Sequence, residues 1–324
     1  MQYLVVNIKM VFPESRGRKA FAFNTINSYS ASLSWKQLTD NAETKIAKRL
    51  YFDEIGQVYK LLQAGDPVEL YSGYDGNYNL DFSGFVSFVN DSMPVILKLD
   101  DPMWLMKRTH VNKSYGSVNL QTLLKEIVPS PYIVDAYDVE LGAVYLPNMT
   151  VAEVFTLLKD QKGLYTYFDG NKLVCGKIYG DNEHATTYTI DIIKDCIKNN
   201  LEYRTKDQIK LKVTMTSYNA KGKKKVVHVG DVDGEEERLV CTNITDTEVL
   251  KNLAQKSLDR LKFDGYQGNI LLFGDKPIKH GDIINLTSDE FPERTGNYYV
   301  DTVEPSLDER GALRKLVTIG PKAA

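Results

Sequence analysis

The chain has 324 residues, 43% apolar and 26% charged. That composition excludes a disordered polymer and provides for two to three globular domains. A formal net charge of −3 gives no overall attraction to nucleic acid or anionic lipid, and no stretch reaches the ~18 uninterrupted apolar residues of a spanning helix, so neither nucleic-acid specificity nor membrane insertion is expected. The opening "MQYLVVNIKM" lacks the basic lead, long apolar run and cleavage site of a secretory signal. Cys175, Cys196 and Cys241 are odd in number and widely spaced, which fits reduced thiols in a chain made in the cytoplasm.

The first hundred residues read as strands. Leu4, Val6, Ile8, Met10 and Phe12 alternate with mostly polar neighbours, as do Tyr29, Ala31, Leu33 and Trp35, the period of half-buried strands. Further strands are expected over 67–72, 79–89 and 94–99, divided by turn chemistry such as Tyr74-Asp75-Gly76-Asn77. Asp100-Asp101-Pro102 ends the last of them. The bulky run Met103-Trp104-Leu105-Met106 follows with no acid–base or nucleophile partner nearby, so the corner reads as an exit, with Trp104 packed into a junction.

The period then changes. Leu120, Leu123, Leu124, Ile127 and Val128 line one face of a short helix that stops before Pro129. Thr150 to Glu153 has the spacing of a capping box, and Val151, Val154, Phe155 and Leu158 form the stripe of a second helix ending near Gly163. Alternation around Asp169-Gly170-Asn171 predicts a hairpin.

Strands return after about residue 180, with Ile209, Leu211, Val213 and Met215 on one face. A polar hairpin over about 216–240 is basic first (Lys221 to Lys225) and acidic later (Asp231 to Glu237), and the two runs are positioned to neutralise each other. Thr245 and Glu248 are expected to cap a long helix over about 246–262, with Val249, Leu250, Leu253, Ala254, Leu258 and Leu261 buried. Three closing strands cover 283–286, 297–303 and 313–319.

Together these elements predict an α+β, mostly β fold. Two small antiparallel β-barrel-like domains, 1–105 and 179–324, are separated by a mixed α/β connector, 106–178. An internal echo supports the pairing: "AGDPVEL" at Ala64 to Leu70 and "HGDIINL" at His280 to Leu286 share Gly-Asp-x-x-x-Leu, and each is followed by a glycine, Gly84 or Gly296, that opens an aromatic and valine strand. The positions expected to matter structurally are Gly65, Asp66, Gly84, Asp101, Pro102, Trp104, Gly281, Asp282 and Gly296.

Catalytic patterns are absent from the sequence. His110, His184, His228 and His280 stand apart from any His-Glu-x-x-His spacing, the cysteines lack Cys-x-x-Cys, and neither a nucleophile elbow nor a phosphate-binding glycine loop occurs. No catalytic residue, metal ligand or cofactor is therefore expected. Asp231 to Glu237 does not have the glycine position of an EF-hand loop. Tyr71, Tyr74, Tyr78, Phe82 and Phe85 are the candidate platform for a carbohydrate or receptor-binding module, one alternative reading; a tail-associated peptidoglycan hydrolase, which needs paired carboxylates or a metal, is the other.

The segments "FSGFVSFVNDSMPVILKLDDPMWLMKRT", "TVAEVFTLLKDQKGLYTYFDGNKL" and "GYQGNILLFGDKPIKHGDIINLTSDEFPERTGNYYVDTVEPSLDERGALRKLVTIG" resemble, in content and order, the hub proteins of contractile phage-tail baseplates, including the YqbQ/XkdQ type of PBSX-like defective prophages. They cover about a third of the chain directly. The resemblance implies a non-enzymatic homotrimeric ring made in the bacterial host cytoplasm and assembled into a virion tail or tail-like particle. It would adapt a six-fold tail tube protein to a three-fold spike protein beside other baseplate proteins.

Overall fold

The computed structural model describes residues 4–48, 61–179, 185–219, 223–242 and 244–323. Strands dominate it. The first β body contains β1 (Val6–Phe12), β2 (Phe21–Phe23), β3 (Ser28–Ser34), β4 (Asn41–Ile46), β5 (Pro67–Tyr74), β6 (Asn79–Asn90) and β7 (Val95–Asp100). They run in the order β3-β4-β7-β6-β5-β1-β2, every pair antiparallel. Alternation sends Ile8, Met10, Phe12, Val68, Leu70, Leu97 and Leu99 into one core, whereas Leu4 lies outside the strand and is exposed.

The α/β module begins with α1 (Met103–Met106) and continues through β8 (His110–Tyr115), α2 (Leu120–Ile127), β9 (Ile133–Ala136), β10 (Val144–Thr150), α3 (Val151–Lys162), β11 (Thr166–Asp169) and β12 (Lys172–Cys175). The α3 capping box is present: Glu153 N–H donates to Thr150 Oγ1 at 3.2 Å, and Thr150 N–H donates to the Glu153 carboxylate at 2.6 Å. Gly163 ends the helix in the left-handed conformation. The apolar stripes of α2 and α3 meet in a separate core that also takes in Met103 and Met106.

The second β body contains β13 (Thr187–Asp191) and β14 (Lys198–Arg204), followed by a side unit of β15 (Leu211–Tyr218), β16 (Lys224–Gly230), β17 (Glu235–Thr242) and α4 (Thr247–Leu261). It is completed by β18 (Gly265–Phe273), β19 (Ile283–Thr287), β20 (Gly296–Leu307) and β21 (Leu313–Lys322). Its strand order is β14-β18-β21-β20-β19-β13. Leu250, Ala254 and Leu258 of α4 pack on Val213, Met215, Val227 and Val229, but Val249 points to solvent. The α4 cap is Asp246 rather than Thr245, its carboxylate accepting from Glu248 N–H at 2.8 Å.

The polar excursion is also arranged differently from the expectation. β16 and β17 lie on opposite sides of β15, β16 antiparallel and β17 parallel, so Lys224 and Lys225 of the basic run and Glu235 to Glu237 of the acidic run flank a common strand and do not face each other; Lys221 and Gly222 lie outside the described residues. Asp231 pairs with Lys262, Asp233 with Lys210 and Glu236 with Arg238 instead.

In space the two β bodies are not held apart by the α/β module. The first residues of β20 pair with β19, while its far half pairs with β3 (Thr302 with Ser34, Val303 with Leu33), making one sheet that crosses both bodies. Leu307 and Leu313 complete the core of the first body. The reason is length: β20 has twelve residues and outruns the five-residue β19. Among the described residues the strand order is open, and no closed barrel is formed within either body.

Candidate functional site

The two Gly-Asp motifs form the same corner twice. In the first, Gly65 adopts φ +96°, its N–H donates to Val86 O at 2.8 Å, and Val86 N–H donates to Asp66 O at 2.9 Å. In the second, Gly281 has φ +84°, its N–H donates to Val300 O at 3.1 Å, and Val300 N–H donates to Asp282 O at 2.9 Å. Each aspartate also folds back on its own turn: Gln63 N–H donates to Asp66 Oδ2 and Lys279 N–H to Asp282 Oδ2, both at 2.9 Å. A bulge follows each corner, between Val86 and Phe88 in β6 and between Val300 and Thr302 in β20.

This register corrects one equivalence. Gly84 lies inside β6 opposite Val68, whereas Gly296 is the first residue of β20 and faces Leu286. Val86 therefore matches Val300, and Tyr298 holds the place of Gly84. Gly84 is needed for a different reason: a Cβ there would run into the backbone of Asp100 and Asp101.

Six of the expected positions converge on the first corner. Asp101 Oδ1 accepts from Met103 N–H at 3.0 Å, and Pro102 leads into α1. Trp104 stacks on Phe85 with centroids 5.5 Å apart, and a Cβ on Gly65 would lie 2.8 Å from its indole. Arg108 covers the ring at 3.9 Å. Thus α1 straddles the boundary, with Trp104 on the first β body and Met103 and Met106 in the α/β core. Asp66, fully buried, is closed over by Arg16, with Nη2 2.6 Å from Oδ1, and by Arg18 at 3.9 Å. At the second corner nothing lies within 4 Å of a Cβ on Gly281. Asp282 Oδ1 accepts from Thr186 N–H at 3.1 Å, and burial pushes its carboxyl above the usual range.

The sequence reading missed the polar groups that fasten the bodies together. Asp301, the bulged residue of β20, accepts from Trp35 Nε1 at 3.2 Å and from the Tyr179 hydroxyl, and pairs with Lys36 at 2.8 Å. Lys315 reaches Asp81 at 3.2 Å with both side chains almost fully buried. The signal was an acid or lysine at a core-facing place in otherwise apolar strands. Nearby, burial raises the Asp40 carboxyl to about 7 and holds that of Asp101 well above its usual range, the neighbouring Asp40 charge adding to the latter. His280 sits between Tyr167 and Tyr179, and burial lowers its imidazole to about 4.

The remaining candidates among the described residues lie apart from one another. His110 and His228 are exposed, and His184 lies outside the described residues. Burial pushes the Cys175 and Cys196 thiols up to about 11, away from thiolate chemistry. Among the described residues no group of His, Cys, Asp and Glu has metal-holding geometry. The aromatic set is dispersed: Phe82 and Tyr74 are buried, Phe85 is under Trp104, and Tyr78 is exposed. No described helix is long and apolar enough to cross a membrane.

No family model and no curated protein matches this sequence. Its fold does have solved counterparts. The tail protein from Neisseria meningitidis MC58 superposes with a TM-score of 0.63 at 15% identity, covering 98% of this chain and 96% of that one. The 43 kDa tail protein of prophage MuSo2 from Shewanella oneidensis gives 0.60 at 13%, with 98% of each chain covered. The E. coli c3393 protein, a component of the type VI secretion system described as similar in structure to the T4 bacteriophage tail proteins gp27 and gp5, gives 0.54 at 7% over 99% of this chain and 77% of its own. This chain has the fold of those tail proteins.

Proposed function

We propose that this chain is the structural hub of a contractile tail or tail-like particle: a homotrimeric ring, without catalytic activity, that adapts a six-fold tail tube to a three-fold spike. Each subunit contributes two barrel-like β domains, 1–105 and 179–324, and an α/β connector, 106–178. The observation that carries the reading is the duplication itself. Two bodies share five antiparallel strands in one order, one corner and one bulge, so three subunits supply six similar units. The fold shared with two tail proteins and with a component of the type VI secretion system supports the same reading.

Assembly into a baseplate takes place in the bacterial cytoplasm, with spike, tube and other baseplate proteins as partners. Light scattering on purified protein is the test, and a mass of three subunits is expected. A single-subunit mass at every concentration up to the solubility limit, together with failure to bind tube or spike proteins, overturns the proposal. Clearing of peptidoglycan in a zymogram would overturn its non-catalytic part.

A further inference from the structure

The duplication assigns a partner to two strand edges that have none among the described residues. Superposing the registers through β4 and β18, β14 takes the place of β3: Ser34 corresponds to Arg204 and Leu33 to Tyr203. Through the shared corner and bulge, β6 takes the place of β20: Phe88 corresponds to Thr302 and Val89 to Val303. Within the chain, the far half of β20 is paired with β3. The equivalent half of β6, beyond Phe85, has β7 on one side and no strand on the other, and β14 has only β18. One joint of the repeating pair is made inside the subunit, and both halves of the next joint stand open.

We propose that β14 of one subunit pairs antiparallel with the far half of β6 of a second copy of this chain, in the register of the internal joint, placing Arg204 opposite Phe88 and Tyr203 opposite Val89. This rests on the ring reading and deepens it, because it states which surfaces meet and in what alignment. The chemistry of the edges suits a joint made late. Phe88 is 52% exposed, an apolar side chain that pairing would cover, and a guanidinium facing it adds a cation–π contact. Lys198, Glu202 and Arg204 all lie exposed on β14 and keep the open edge soluble until its partner arrives. The occupant follows from the internal joint, whose β3 and β20 halves recur in β14 and β6 of every copy.

Cysteine pairing tests the alignment. In a Cys196→Ser, Cys241→Ser background, Phe88→Cys with Arg204→Cys is expected to form disulfides between chains under mild oxidation, giving two- and three-chain species on a non-reducing gel. Phe88→Cys with Lys198→Cys, far out of register, is expected to leave single chains. Amide exchange in the unmodified protein gives a second reading: protection of 198–204 is expected to rise as the three-subunit mass appears. A three-subunit mass with neither the disulfide nor the protection overturns this inference and leaves the ring. A single-subunit mass under all conditions overturns the ring and this joint with it.

Discussion

The two Gly-Asp corners have the same backbone and different surroundings. Both use a glycine at positive φ, an aspartate folded onto its own turn, and a pair of hydrogen bonds to a valine just ahead of a bulge. The first is roofed by Trp104 and neutralised by arginine; the second is open above its glycine and holds its carboxyl with backbone donors alone. Turn geometry is therefore a local property carried by a few residues. What covers the turn depends on the neighbouring chain: α1 supplies the roof in the first body, and Thr186, just ahead of the parallel β13, supplies a backbone donor in the second.

The largest separation between the corners is expected from their glycines. Gly281→Ala introduces only the left-handed strain, about 1–2 kcal/mol. Gly65→Ala incurs that strain and also drives a methyl into the Trp104 ring, adding about 1–3 kcal/mol. Urea midpoints compare the two directly. Equal losses would mean that the indole moves aside freely and that the first corner is no tighter than the second.

The aspartates sharpen the contrast by a smaller amount. Asp66→Ala leaves the Arg16 and Arg18 guanidinium groups without their buried partner and is expected to cost about 2–3 kcal/mol, tempered by the exposure of Arg16. Asp282→Ala releases two backbone donors, from Lys279 and Thr186, in exposed residues that water can reach, and is expected to cost about 1 kcal/mol. Chemical denaturation of both variants checks the order. If Asp282→Ala were the more damaging, the arginine cover would contribute little.

Much of this arrangement could be read in the sequence because it is local. The α3 box needs only Thr150 and Glu153, and the strands of the first body declare themselves by period two. The Gly-Asp echo was visible for the same reason, as was the exit at Pro102. The error over Gly84 and Gly296 came from matching letters where the ladder matches valines. The joining of the two bodies was not legible, because it depends on β20 meeting β3 across most of the chain, and pairing at that separation leaves no local period. Asp301 and Lys315 were overlooked for a related cause: each is buried only once the other body is in place.

Acid should act in opposite directions on two buried groups, one near each corner. Near the first corner, Asp40 has its folded value raised to about 7 from 3.8. Between those values the folded state keeps a proton that the unfolded chain releases, so stability is higher at low pH and is lost as pH rises through the window. At the second, His280 is lowered to about 4 from 6.5, and there the unfolded chain takes up a proton that the folded state refuses. Its contribution therefore declines as pH falls. Every tenfold difference in proton affinity corresponds to ~1.4 kcal/mol. Asp40→Asn, which retains an acceptor for Ser34 N–H, is expected to make stability fall more steeply on acidification. His280→Gln is expected to flatten or invert that fall, and denaturation midpoints taken across the window separate the two. Identical slopes in both variants and the parent would mean that water reaches these groups in the folded state.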